Sequence, residues 1–248
     1  MEHDKERDDA ARDEAEHGEA GRDEEELRRL DARLSGEGPA RWDRFYADRA
    51  RPVPFFGRAP DENLDEWLRA GRLDTGKALD LGCGNGRNAI ALAQRGWRVQ
   101  AVDQSPSAVA WAREETALAA VDVAVSCESV FNLRIEPGAY DLVYDSGCFH
   151  HIAPHRRAQF VALVCKALRP GGAFGLVCFA PEGGSGLSDA AVYEHGSLGG
   201  GLGYSADGLR AIWSGQLEIV ELRRMRAQEA ASALFGQEFL WVMLAFKR

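Results

Sequence analysis

The densest run of reactive side chains is "YDSGCFHHIAPHRR", Tyr144 to Arg157, which gathers Asp145, Cys148, His150, His151 and His155. Such a set suits three chemistries: metal ligation, a Cys–His nucleophile pair, or acid–base work at the lip of a pocket. Metal ligands must converge in space. His151 and His155 are four apart, but Pro154 between them disfavours the continuous helix that would align them. No metal is therefore expected. The pocket-lip reading is the strongest. His150 or His151 has the unperturbed pKa of a base, with one ring turned inward and the other packed or solvated. Asp145 either positions a ligand or caps a turn. Cys148 reads as a small pocket or core residue.

A second chemical stretch is "LDLGCGNGRNAIAL", which follows a short apolar run and opens a helix. Gly82, Gly84 and Gly86 allow a sharp turn and a close backbone approach to a ligand, but their spacing misses the GxGxxG of a dinucleotide fingerprint. Asp80, just before them, would repel a pyrophosphate and could hold a cation. S-adenosylmethionine, with an ammonium, a sulfonium and no phosphate, satisfies that requirement. Asp103, closing "WRVQAVD" with Gln104 after it, lies where an acid accepts both hydroxyls of a ribose. Glu128 or Ser129, after the third strand, would reach the adenine. Arg87 and Asn88 could serve the ligand's carboxylate or simply begin the helix.

These residues need a scaffold, and the chain supplies an alternating one. "KALDLGC", "WRVQAVD", "VDVAVSC", "YDLVYDS" and "AFGLVCFA" read as strands. "GRNAIALAQRG", "SPSAVAWAREETALA" and "RRAQFVALVCKAL" read as helices between or beside them, the last ended by "RPGG". That rhythm predicts an α/β fold with a Rossmann-like, doubly wound parallel sheet covered on both faces. "LEIVELRRMR" and "FLWVMLAFKR" read as a terminal antiparallel pair. The Gly-rich "PEGGSGLSDAAVYEHGSLGGGLGYS", residues 181–205, is long for a plain connector and reads as a lid or pocket wall. Residues 1–38 carry 15 Asp/Glu and 7 Lys/Arg, against 24 and 23 in the rest. That segment reads as a charged, disordered leader with at most a short helix in "DEEELRRLDARL". The domain proper is expected over 39–248.

"LDLGCGNGR" and "AVDQSPSAVAWA" resemble the first two motifs of class I S-adenosylmethionine-dependent methyltransferases. "GRNAIALA" further resembles the tellurite-resistance methyltransferases. "YDLVYDSGCFHHIAPHRR" is similar to the matching stretch of thiopurine and halide/thiol methyltransferases. "RWDRFYADRARPVPFF" is similar to the tryptophan-bearing N-terminal lid of that group, here set at about 41–70. The likeness implies a seven-stranded sheet with its last strand antiparallel, and S-adenosylmethionine as cofactor. It also implies that Asp145 to His151 face the methyl acceptor and that Asp145 can touch the cofactor's amino group. Trp42, Phe45, Tyr46, Phe55 and Phe56 would then pack as a lid or wall the acceptor, with Tyr193 and His195 closing the other side. "CFHH" departs from those relatives at the residues nearest the acceptor.

Charge and composition narrow the function further. Outside the leader the balance is nearly neutral, so no basic face argues for nucleic acid. No apolar run is long enough to cross a membrane, and "MEHDKERDDA" is too charged for a signal peptide. Five cysteines without a CxxC pair point to reduced thiols and a cytoplasmic setting. The expected activity is methyl transfer to a small molecule, first a thiol or other soft nucleophile, since a thiol ionises near neutral pH without help. An oxygen or nitrogen acceptor with His150 or His151 as base is the alternative. A sensor or a non-methylating cyclase on the same fold stands apart from both.

Overall fold

The structure, a computed structural model, describes residues 24–248 apart from Ser35, Glu37 and Ala230. Seven strands form one sheet in the order β3-β2-β1-β4-β5-β7-β6. They are β1 (Lys77–Leu81), β2 (Arg98–Asp103), β3 (Val123–Cys127), β4 (Tyr140–Ser146), β5 (Leu168–Phe179), β6 (Leu217–Arg224) and β7 (Leu240–Lys247). The first five run parallel, and β7 is antiparallel to both β5 and β6. This is the Rossmann-like sheet that the strand–helix rhythm predicts, with the seven strands and antiparallel last strand that the resemblance implies. β5 starts earlier than "AFGLVCFA": Leu168 pairs with Tyr140, the RPGG stretch is passed over, and pairing resumes at Ala173 with Leu142.

Helices α1 (Pro39–Ala47), α2 (Glu62–Arg69), α3 (Arg87–Ala93), α4 (Pro106–Leu118), α5 (Arg157–Ala167), α6 (Asp189–His195) and α7 (Ala206–Trp213) cover the sheet and its rim. Local chemistry sets several of their starts. Ser105, Ser188 and Ser205 each accept a backbone N–H of the first turn, at Ala108, Ala191 and Gly208. Pro39 and Pro106 open α1 and α4, where a missing N–H costs nothing.

One apolar layer buries Phe149, Phe160 and Trp213 on one face; the other buries Leu64, Trp67 and Leu92. Both tryptophans are fully buried. A third cluster of Tyr46, Phe56, Ala108 and Trp111 ties α1 to α4. The Gly-rich stretch contains α6, and its Leu198, Leu202 and Tyr204 join the first layer.

The described part of the leader falls mainly in "DEEELRRLDARL", where a short helix is allowed for. Residues 24–33 are helical, and Leu34 is buried in the first apolar layer. Asp31 explains the docking: it meets Arg156 at 2.5 Å and His155 Nε2 at 2.8 Å, while Glu24 meets Arg156 at 3.2 Å. The earlier part of that segment lies outside the described residues.

Strand order reverses at β1, with β2 on one side and β4 on the other. In open α/β sheets the crevice beyond the carboxyl ends at such a point receives the ligand. Here it falls between Gly82 and the Asp145–Gly147 turn. Leu81 is in register with both Val102 and Asp145.

Candidate functional site

After β1 the chain turns on three glycines with left-handed φ: 67° at Gly82, 56° at Gly84 and 80° at Gly86. A Cβ at Gly82 would stand 2.7 Å from Cys148 Cβ, and one at Gly84 would stand 2.6 Å from the Tyr46 hydroxyl. Backbone shape and crowding therefore both require glycine here. Gly84 N–H donates to Asp103 Oδ2 at 3.0 Å, and Ser105 N–H donates to Oδ1 at 2.9 Å. These bonds fix the Asp103 carboxylate at the end of β2, facing the crevice. Burial raises its pKa, against the lowering effect of the backbone N–H groups.

Two further carboxylates lie behind the turn. Burial pushes Asp80 up to about 7; Arg87 opposes this, and Asp61, Asp145 and Asp103 add to it. Burial likewise pushes Asp145 up to about 7, against backbone N–H groups of the following turn. Asp145 Oδ1 accepts from Cys148 N–H at 2.8 Å and from Phe149 N–H at 3.3 Å. One oxygen of each, Oδ2, has no hydrogen-bond partner among the described residues. Two buried acids with idle oxygens, beside a third on the crevice wall, form an environment that favours a cation. That donor set fits the ammonium and sulfonium of S-adenosylmethionine.

Both histidines line the second of the two cavities described below, and they differ in their partners. His150 Nδ1 accepts Phe179 N–H at 3.2 Å, and its ring stacks on Phe179 with centroids 3.7 Å apart. Burial, and then His151, drives its pKa well below the usual imidazole value. His151 packs edge-on against Trp42 at 4.5 Å, and its Nδ1 has no hydrogen-bond partner among the described residues. Burial, helped by Arg41, lowers its pKa to about 3, so it is neutral at pH 7.

Two cavities meet at this point. The first, about 350 Å³, is walled by Asp103, Gln104, Ser129, Val130 and Phe131 on one side and by Asp31, Leu34 and Pro39 on the other. The second, about 360 Å³, is lined by Phe45, Phe55, Phe179, Phe235 and Phe239, with Arg87, Ser146, His150 and Gln237. Trp42, Tyr46, Gly82, Gly147 and His151 line both, and so form the boundary between them. Cys148 lines the first. Burial raises its pKa well above the ordinary thiol value, so it is a neutral thiol there.

Several expected site residues stand elsewhere. Tyr193 lines neither cavity; its hydroxyl meets His155 Nδ1 at 2.9 Å, beside the leader helix. Phe56 lines neither and packs between Tyr46 and Trp111. Glu128 is not on a cavity wall, although Ser129 beside it is. Asp145 also lines neither cavity and organises the turn that carries Gly147 and Cys148. Arg87 points to the second cavity, where it pairs with buried Asp61 at 2.6 Å and lies 4.4 Å over the Phe235 ring.

Nothing in the sequence marks Asp61 as a site residue, beyond its place at a helix start before "ENLDEW". In the fold it also accepts from Tyr144 OH at 2.7 Å and from Asn88 Nδ2 at 3.0 Å, tying α2 and α3 to β4. Val130 and Phe131 are likewise additions from the fold; their position directly after Ser129 is the one sequence signal for them. Among the described residues, no group of three or more His, Cys, Asp or Glu is arranged to hold a metal ion. None of their helices is long and apolar enough to cross a membrane.

Fold and site together define a Rossmann-like protein with a cation-suited crevice at the switch point of its sheet. Comparison with known proteins sharpens this. Residues 78–172 match the family described as Methyltransferase domain, a span that holds Asp80, the glycine turn, Asp103 and His151. The match covers less than half of the chain, and S-adenosylmethionine is the cofactor that it implies for this site. An uncharacterized methyltransferase, sll0829, of Synechocystis sp. is 34% identical over 101 residues, which is 41% of this chain and 46% of that protein. The chain thus spans less than half the length of that curated relative.

Among solved structures, one from work on the conversion of a disulfide bond into a thioacetal group during echinomycin biosynthesis superposes with TM-score 0.65. It is 22% identical and covers 84% of this chain and 92% of its own. The Burkholderia thailandensis 1,6-didemethyltoxoflavin-N1-methyltransferase, with bound 1,6-didemethyltoxoflavin and S-adenosylhomocysteine, gives TM-score 0.56 at 22% identity. It covers 75% of this chain and 77% of its own. At these identities the likeness is one of fold.

Proposed function

We propose that the protein transfers the methyl group of S-adenosylmethionine to a small molecule held in the aromatic cavity, with a thiol or other soft nucleophile as the first choice of acceptor atom. The observation that carries this reading is the shared boundary of Trp42, Tyr46, Gly82, Gly147 and His151 between the two cavities. A cofactor on one side and an acceptor on the other would meet there. When bound, S-adenosylmethionine supplies an electrophilic methyl on a good leaving group, so the protein has mainly to align the acceptor and exclude water.

On this reading Asp103 accepts the ribose hydroxyls, and Gln104, Ser129, Val130 and Phe131 surround the adenine. Gly82 and Gly84 admit the backbone close to the ligand, Gly86 starts α3, and Asp80 and Asp145 supply negative charge behind the turn. Trp42, Tyr46 and Phe55 enclose the acceptor. Neutral His151 stands on the boundary of the two cavities and helps to wall the acceptor. A ring held at about 3 is a weak proton acceptor at pH 7, which supports an acceptor that ionises unaided. His150, already accepting from Phe179, holds the wall. The subgroup in view is that of the tellurite-resistance, thiopurine and halide/thiol methyltransferases, and the five free cysteines fit a reducing cytoplasm. The fold likeness to the echinomycin-pathway protein, whose setting is the conversion of a disulfide into a thioacetal, supports the same preference for sulfur.

A second reading, N- or O-methylation with His151 beside the acceptor atom, is favoured by the place of His151 on the boundary of the two cavities and by the fold likeness to the toxoflavin N1-methyltransferase. The test is S-adenosylhomocysteine formation, followed by mass spectrometry, with aromatic thiols, phenols and amines in parallel. Turnover confined to thiols supports the first reading, and turnover confined to phenols or amines replaces it with the second. Cofactor binding without turnover on any acceptor points to a sensor or a cyclase.

A further inference from the structure

The aromatic cavity shares part of its wall with a larger space. Val53, Pro54, Phe235 and Gln237 line both it and a cleft of about 870 Å³. One wall of the cleft comes from residues between 51 and 60, the other from residues 228–229 and 232–237. Its base is a built joint. Phe235 N–H donates to Pro60 O at 2.8 Å, Glu62 N–H donates to Phe235 O at 2.9 Å, and Asp61 bridges to Phe235. Beneath the joint, Arg87 lies over the Phe235 ring and is paired with buried Asp61. None of the cleft's residues lines the cofactor cavity.

We propose that this cleft is a second acceptor subsite, and that the natural acceptor is an elongated molecule. Its apolar methyl-accepting head would fill the aromatic cavity while an uncharged, hydrogen-bonding tail runs out along the cleft. The proposal rests on the methyltransferase reading and adds the shape and polarity of the substrate. The volumes call for a tail, because the cleft is more than twice the size of the cavity it adjoins. The side chains call for a neutral one. Prolines and Leu234 give apolar surface, Gln237 presents an amide, and Gln228 and Ser232 add polar surface while hydrogen-bonded to each other at 2.9 Å. The two arginines of the cleft are engaged within the protein: Arg58 pairs with Glu115 at 2.5 Å, and Arg51 lies 4.8 Å over the Phe45 ring. Glu229 stands exposed on the opposite wall, so charges of both signs face the cleft and neither an anionic nor a cationic tail is singled out.

The test compares benzenethiol with benzenethiol carrying a para diglycine-amide tail, and with carboxylate- and ammonium-ended versions of that tail. The same series is made on phenol and aniline heads. With saturating S-adenosylmethionine, the neutral tail is expected to lower KM on the order of tenfold, equivalent to about 1.4 kcal/mol, and the charged tails to give no such gain. Ala233→Trp, which fills the cleft, should abolish the gain while leaving the tailless head and the cofactor Kd unchanged.

Equal KM values with and without the neutral tail, a gain retained in Ala233→Trp, or a larger gain from a charged tail would each overturn the proposal. Binding of the same series to the protein loaded with S-adenosylhomocysteine, measured by calorimetry, separates the two readings. If no head is methylated, the methyltransferase reading fails. The subsite then stands if the neutral tail still tightens binding and Ala233→Trp cancels that effect, and falls if it does not.

Discussion

Asp80→Asn should make the cofactor-free protein more stable at alkaline pH while weakening its hold on S-adenosylmethionine. Asp80 is buried, with Oδ2 lacking a hydrogen-bond partner, and its pKa is raised from 3.8 to about 7. Between these values the native chain binds more protons than the unfolded one, so stability falls as pH rises and levels off above about pH 7. A shift of roughly three units corresponds to about 4 kcal/mol in full, of which about 2.5 kcal/mol develops between pH 5 and pH 8. For a chain of this size that is a difference of roughly 5–10 °C in Tm.

An asparagine does not titrate, so its contribution to this slope vanishes. Thermal unfolding by circular dichroism, without cofactor and in buffers from pH 5 to pH 8, reads the difference directly. The variant should lose less Tm across the range than the parent. In calorimetric titration it should bind S-adenosylmethionine more weakly, on the order of tenfold, having lost a negative charge that favours the cation. Parallel Tm slopes for the two proteins would refute the placement of an uncompensated carboxylate at residue 80.

Other expectations follow from the same geometry. Asp103→Ala removes the acceptor of the Gly84 and Ser105 N–H groups, and equilibrium binding should show cofactor affinity falling on the order of a hundredfold. Gly84→Ala forces a side chain onto a φ of 56° and against the Tyr46 hydroxyl, costing about 1–3 kcal/mol in urea unfolding. His151→Ala should lower kcat/KM less than about tenfold for a thiol, and the parent profile should show no inflection from this residue between pH 6 and pH 9, since it titrates near 3. Asp31→Asn breaks the contacts to Arg156 and His155 that hold residues 24–33 over the cofactor cavity, so stopped-flow release of S-adenosylmethionine should become faster.

Much of the fold can be read in advance because its signals are local. Gly82, Gly84 and Gly86 mark a turn by type alone, Ser105-Pro106 marks a helix start, and strands such as "KALDL" are mainly apolar because both faces are covered. Asp103 is identifiable for the same reason: its place at a strand end follows from the pattern. What cannot be read depends on contacts distant in sequence. Asp61 becomes the centre of a buried network only when Arg87, Asn88 and Tyr144 arrive from other elements.

The leader's charge pattern suggests a solvated segment, yet Arg156, itself buried, supplies the partner that docks it. Composition does not reveal so remote a partner. Phe55 and Phe56 are neighbours of the same type, and only tertiary packing decides that Phe55 faces the cavity while Phe56 turns to Trp111. His150 and His151 both line that cavity, and only the fold shows that a backbone N–H from β5 claims His150.

The most direct test of the central claim is to supply S-adenosylmethionine with a deuterated methyl group, together with an aromatic thiol, and follow both products by mass spectrometry. Methyl transfer across the boundary of the two cavities predicts S-adenosylhomocysteine and a thioether carrying all three deuterons, formed in equal amounts. Tight cofactor binding with neither product, across thiols, phenols and amines alike, would contradict it.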